Sequence, residues 1–257
     1  MDDNSKIIEL KKTILSDNDA DAEKLRSFLR EKKIFYINLM SSPGSGKTTT
    51  LLSLIPVLKE KYKRKIFVME ADIDSDVDMK TILSSGTPSV QLHTGGMCHL
   101  DAEMSRQGLL SLTKDNDYDE LSGSIVFLEN VGNLVCPAEF DTGAHLDLVI
   151  LSVPEGDDKP LKYPLVFEKT DAVFVNKIDA ESAFDFSRER VIENIRKRNE
   201  KEEVFFISAK TGDGIEEAAG FIEKEAAKIL KETGDGSLSP CLTHVIPKSL
   251  SRPQTPL

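Results

Sequence analysis

Ser41-Ser42-Pro43-Gly44-Ser45-Gly46-Lys47-Thr48 decides the fold. It follows an apolar run of strand length, Ile34–Met40, and opens a helical pattern that runs from Lys47 to Tyr62. A glycine-rich turn between a buried strand and a helix is the setting of a phosphate-binding loop, or P-loop. Gly44 and Gly46 let the backbone approach phosphates, and the N–H groups and dipole of the helix attract their charge. Lys47 is expected to reach the β- and γ-phosphates and Thr48 to bind magnesium, with Ser45 and Thr49 completing the cradle. The usual first glycine of the motif is here Ser41. The alternative is an ordinary glycine-rich turn, and the flanking strand and helix argue against it.

Outward from this loop, strands and helices alternate. Residues 17–32 read as a helix capped by Ser16 or Asp17, with Ala22, Leu25, Phe28 and Leu29 on one stripe. Strands are expected at 65–70, 89–93, 124–129, 146–153, 172–176 and 204–208, and helices at 47–62 (kinked by Pro56), 76–85, 100–112, 160–168, 186–201 and 214–232. This pattern predicts an α/β fold: a mostly parallel sheet flanked by helices on both faces. Ligands in such folds sit beyond the carboxyl ends of the strands. The expected organisation is an N-terminal helical extension over 1–33, one nucleotide-binding domain over 34–232, and a flexible Pro- and Ser-rich tail over 233–257.

The formal charge is −11, which argues against a nucleic-acid backbone as partner. No apolar run approaches the roughly 20 residues of a membrane span. The opening Met1-Asp2-Asp3-Asn4 is acidic and polar, unlike a secretory leader, so the expected compartment is the cytoplasm. In that reducing setting, Cys98, Cys136 and Cys241 point to metal binding or chemistry rather than a disulfide.

Asn176-Lys177-Ile178-Asp179 ends a predicted strand. The Asp179 carboxylate can accept two hydrogen bonds from the N1–H and 2-amino group of guanine, a pair that adenine does not offer. Ser208-Ala209-Lys210-Thr211-Gly212 follows at the next strand end, and together these resemble the base-reading loops of GTPases. Asp72 and Glu129 end strands beside the phosphate loop and are candidates, with Thr48, to hold magnesium. Asp78 is the candidate to orient the attacking water. Asp74 and Asp76 read as a solvated helix start. Lys47, Asp72 and Asp78 are therefore the expected catalytic set, and Gly132 the expected sensor of the γ-phosphate.

Cys98 and His99 lie at a glycine-rich junction, and Cys136 lies four residues after Gly132. Two thiolates and an imidazole suit nickel or zinc rather than magnesium. A tetrahedral site would need a fourth ligand or a share of a second subunit's set. The spacing also permits two buried cysteines and a capping histidine.

Three segments resemble the hydrogenase nickel-incorporation GTPases (HypB): Cys98-His99-Leu100-Asp101, Glu129 through Pro137, and Glu155 through Pro164. The resemblance runs from about Ile34 to Leu230. It implies a P-loop GTPase of the SIMIBI class that dimerises on binding GTP and carries nickel or zinc at the interface through Cys98, His99 and Cys136. It also implies a role in nickel delivery to [NiFe]-hydrogenase, with a small zinc-binding chaperone (HypA) and the hydrogenase large subunit as partners. Lys159 would reach across the dimer toward the nucleotide. Turnover is expected to be slow, since no in-built arginine finger is evident.

Departures from the family pattern are plain. Before Cys98 there is neither a cysteine cluster nor a histidine-rich store. His93 stands where asparagine is expected, and reads as a strand-end residue rather than a ligand. Cys241 and His244 have metal-like spacing within the tail. A urease-type nickel GTPase would show Cys-Pro-His, whereas Cys136-Pro137 is followed by Ala138. A metal-storage chaperone using nucleotide only structurally is the other alternative.

Overall fold

A computed structural model describes residues 3–72 and 77–231, with side chains for 14–71 and 80–230. The readings for Asp74, Asp76, Cys241 and His244, and for the tail, lie outside the described residues.

Among the described residues, seven strands form one sheet: β1 Phe35–Ser41, β2 Lys65–Asp72, β3 Ser89–His93, β4 Ser124–Gly132, β5 Leu146–Ser152, β6 Ala172–Asn176 and β7 Glu203–Phe206. Their order is β3-β2-β4-β1-β5-β6-β7, and every pairing is parallel. The helices are α1 Asp3–Glu31, α2 Lys47–Glu60, α3 Val77–Ser84, α4 Ala102–Ser111, α5 Cys136–Glu139, α6 Lys159–Lys162, α7 Pro164–Lys169, α8 Arg188–Arg196 and α9 Ile215–Lys231. This is the α/β fold with a P-loop that the motif order predicts.

Central β1 is buried at every position. Strand alternation sends Phe35, Ile37 and Leu39 into a core shared with α2, α3 and α9. The opposite face carries two separate apolar clusters. One holds Tyr36, Met69, Val126 and Leu128 beneath α1 and α4. The other holds Met40, Val149, Leu151 and Val173 beneath α5, α7 and α8. Between them on β1 lies a buried polar residue, Asn38.

Several boundaries differ from the sequence reading. The first helix starts at Asp3, so Ser16 and Asp17 sit within it instead of capping it. Its stripe behaves as expected: Ala22, Leu25 and Leu29 are buried. Arg26 anchors this helix by donating from Nη2 to both Asp141 carboxylate oxygens at 2.7 Å and from Nε to the Ala144 carbonyl at 2.7 Å. Pro56 lies inside α2, which continues to Glu60. The helix expected over 160–168 is two short ones divided at Tyr163, just before Pro164. The β4 strand extends past Glu129 to Gly132 because Ser41 of β1 pairs with it there. No helix among the described residues is long and apolar enough to cross a membrane.

Candidate functional site: a phosphate loop, a base loop and a thiol pair

The loop after β1 closes onto the loop after β6. Gly46 has φ of 99°, and a Cβ there would lie 2.6 Å from Asn176 Nδ2. Only glycine therefore fits both the backbone and the neighbour. Asn176 Nδ2 donates to the Ser45 carbonyl at 3.0 Å, and its Oδ1 accepts from the N–H of Ala209 at 3.1 Å and of Lys177 at 2.8 Å. Lys177 Nζ donates to the Gly44 carbonyl at 2.7 Å. The phosphate and base loops are thus one hydrogen-bonded unit.

Within the phosphate loop, Lys47 Nζ donates to Ser41 Oγ at 3.0 Å. Ser41 Oγ donates in turn to the Ser42 carbonyl at 2.7 Å. The residue that replaces the usual first glycine is buried and gives Lys47 an acceptor. Ser45 Oγ is buried without a hydrogen-bond partner among the described residues. Thr49 is exposed at the start of α2.

Thr48 Oγ1 donates to Glu129 Oε1 at 2.7 Å. A hydroxyl and a carboxylate side by side at a phosphate loop are the oxygen donors that magnesium prefers. The backbones of Asp72 and Asp78 fall at the end of β2 and in the first turn of α3, but their side chains lie outside the described set. Sequence reasoning passed over Glu70. It is buried and is the register partner of Glu129 across the β2–β4 ladder. The signal was available, since alternation puts it on the face of Ile66 and Val68 that meets α2.

At the base loop, Ser208 Oγ donates to Asp179 Oδ1 at 2.7 Å, and Lys210 Nζ lies 3.9 Å from Asp179 Oδ2. The carboxylate is held in place, with the long Lys210 side chain exposed beside it. Gly132 packs on the opposite wall: a Cβ there would come 3.2 Å from Pro43 Cγ. The end of β4 therefore lies against the phosphate loop.

Beyond Gly132 the chain turns into α5, with Asn133 Oδ1 accepting the Val135 N–H at 2.8 Å. Cys136 begins that helix. Cys98 precedes α4, whose N-terminus is capped by Asp101 Oδ1 accepting from Met104 N at 2.8 Å. The two half-buried, free thiols lie within hydrogen-bonding reach of each other. A hydrogen bond with Cys136 raises the Cys98 pKa, and burial raises it further. The His99 ring instead stacks on Phe140, centroids 3.7 Å apart. Burial lowers the His99 pKa, favouring the neutral imidazole that can ligate metal. Among the described residues no group of three His, Cys, Asp or Glu converges as a metal cage.

A family model described as CobW/HypB/UreG, nucleotide-binding domain, matches residues 35–206. The hydrogenase/urease maturation factor HypB of Helicobacter hepaticus is 42% identical over 226 residues, covering 88% of this chain and 90% of that protein. The chain belongs to the HypB family. Among solved structures, HypB from Helicobacter pylori in complex with nickel superposes with a TM-score of 0.75 at 34% identity, covering 87% of this chain and 99% of that one. HypB from Archaeoglobus fulgidus gives 0.73 at 32% identity, covering 82% and 99%.

In this HypB-family chain Lys159 is engaged internally. Its Nζ lies 3.2 Å from Glu155 Oε1 and 4.7 Å from the centre of the Tyr163 ring. Glu155 is itself held by Ser152, whose N–H and Oγ–H donate to Oε2 at 2.9 and 2.8 Å. His93 ends β3 and is exposed. Sequence reasoning also missed a buried polar chain through Asn38, Asn130 and Asp147, since lone polar residues inside strand patterns carry no motif.

Proposed function

We propose that this chain hydrolyses GTP and couples that reaction to holding and releasing nickel during [NiFe]-hydrogenase maturation in the cytoplasm. The observation that carries the reading is the nearness of Cys98 and Cys136, with Cys136 four residues beyond Gly132, which itself lies against Pro43. The nickel complex of the Helicobacter pylori relative supports the choice of metal.

In this reading Lys47 and the backbone N–H groups of 44–48 bind the β- and γ-phosphates, Gly132 meets the γ-phosphate, and Asp179 reads guanine with Ser208 and Ala209 beside it. Thr48, with Glu129 and Asp72, would hold magnesium, which would supply charge neutralisation when bound. Water attacks the γ-phosphorus in line: its oxygen bonds to phosphorus, the bond to the β–γ bridging oxygen breaks, and GDP and phosphate leave. Asp78 orients that water. Loss of the γ-phosphate releases the segment after Gly132 and disturbs Cys136. GTP also favours a homodimer, in which two copies pool Cys98, His99 and Cys136 and Lys159 exchanges Glu155 for the other copy. Nickel arrives from a small zinc-binding chaperone and passes to the hydrogenase large subunit; zinc fits the same donors.

The test is nickel titration of the wild type and a Cys136→Ala variant, each with GDP and with a non-hydrolysable GTP analogue, while following oligomer mass. The wild type should bind nickel differently in the two nucleotide states, and the variant should lose most binding in both. Equal nickel affinity with both nucleotides would overturn the coupling.

A further inference from the structure

The polar residue that divides the second face of the core is one member of a chain. Asn38 and Asp147 are register partners on β1 and β5. Asn38 Nδ2 donates to Asp147 Oδ1 at 2.8 Å. Asn38 Oδ1 accepts from Asn130 Nδ2 at 3.0 Å. Asn130 Oδ1 then accepts from the N–H of Val131 at 2.8 Å. Asn38 and Asn130 are both buried. Buried carboxamides between two apolar clusters are costly unless every polar atom is satisfied, so this chain needs an explanation beyond packing.

The sheet supplies one. Leu39 pairs with Glu129, and Ser41 pairs with Gly132. Two steps along β1 thus face three along β4, and the extra residue lies at Asn130–Val131. Such a bulge disrupts the ladder and re-aims the residues that follow. Asn130 Oδ1 gives the Val131 N–H an acceptor at that point, and Asn38 and Asp147 fix the carboxamide that does so. The re-aimed residue is Gly132, which lies against Pro43 of the phosphate loop. At its far end the chain meets a cavity of about 290 Å³, lined by Asp147 together with Pro137, Ala138 and Phe140 of the Cys136 segment.

We infer that Asn130, held by Asn38 and Asp147, is a positioning residue that sets the bulge before Gly132 and so lets the site tell GTP from GDP. The inference rests on the GTPase reading above, in which Gly132 meets only the γ-phosphate. The bulge places the Gly132 backbone, and the carboxamide chain keeps the bulge in one geometry. Its removal leaves the guanine loop and the backbone N–H groups of 44–48 in place, because the bulge lies beyond them and touches the phosphate loop only through Gly132 at Pro43. A role confined to stability would weaken both nucleotides or neither.

The experiment measures the affinity of full-length wild type, Asn130→Ala and Asn38→Ala for GDP and for a non-hydrolysable GTP analogue with magnesium, with circular dichroism to check folding. Thr170→Val serves as a control, since it loses a buried hydrogen bond ahead of β6, away from the phosphate loop. Asn130→Ala should weaken the GTP analogue by about fivefold or more, the effect of one buried hydrogen bond, with GDP unchanged. Asn38→Ala should move the ratio the same way, and Thr170→Val should leave it alone. Equal weakening of both nucleotides, an unchanged ratio, or failure of both asparagine variants to fold would overturn the inference. A wild type that binds no GTP analogue would overturn the GTPase reading beneath it.

Discussion

Asn176 Nδ2 donates to the carbonyl oxygen of Ser45 at 3.0 Å, so a residue of the base loop holds the backbone of the phosphate loop. The same carboxamide accepts from Ala209 N. Asn176→Ala removes both ties. Two buried hydrogen bonds at about 1 kcal/mol each predict a loss of roughly tenfold or more in affinity for GDP and GTP alike. Isothermal titration reads it, and a selective loss of one nucleotide would contradict the shared-tie account.

Asp179 is fixed by the Ser208 hydroxyl at 2.7 Å. An Asp179→Asn variant presents one donor and one acceptor, which suits xanthine, with its carbonyl at C2, better than guanine. Guanine-nucleotide affinity should fall by about a hundredfold while xanthosine diphosphate gains, since hydrogen bonds to a charged group are worth about 1.5–3 kcal/mol each. Competition between the two diphosphates measures it. A variant that still prefers GDP would remove Asp179 from the base contact.

Gly44 and Gly46 both have positive φ, yet they differ in surroundings. A Cβ on Gly44 meets nothing within 4 Å, whereas one on Gly46 meets Asn176 Nδ2. Gly44→Ala should cost about 1 kcal/mol of stability, the backbone term alone. Gly46→Ala should cost more and abolish nucleotide binding, because Asn176 must move. Denaturant melts with and without GDP decide this, and equal losses would show that the Asn176 contact is immaterial.

Glu202 is buried and hydrogen-bonded by Thr170 Oγ1. Burial raises its pKa from the usual carboxyl range to about 8. The folded state therefore holds a proton that the unfolded chain releases, and stability from this group is full below about pH 4.5 and falls as pH rises toward 8. Glu202→Gln should flatten that decline and leave the variant relatively more stable near pH 8, by up to about 4 kcal/mol. Thermal melts across pH 4.5–8.5 test it; parallel curves would mean the carboxyl ionises normally.

How much was legible in the sequence varied with the kind of signal. The phosphate and base loops were readable because each needs fixed residues in adjacent positions: Gly46 for its backbone, Asn176 for its two-sided carboxamide. Strand positions were readable because both faces of β1 are apolar apart from Asn38 and the terminal Ser41. Helix ends were less so: α1 continues N-terminal of Ser16 because the residues there suit a helix as well as a cap. The meeting of Cys98 with Cys136 is a product of tertiary structure, brought about by β3 and β4 ending on the same side of the sheet. Asn38, Asn130 and Asp147 gave no local pattern, since their partners come from three different strands.

Cys98 and Cys136 stand on turns that follow different strands, and β4 lies between them in the chain. A metal ion bonded to both sulfurs would act as a removable crosslink. The unfolded chain would gain little from it, because the two thiolates would first have to close a long loop. Part of the binding energy would therefore appear as resistance to unfolding. Release of such an ion would then have a mechanical side: it would leave α5 and the start of α4 less firmly fastened, and the metal-free protein would be the softer of the two forms.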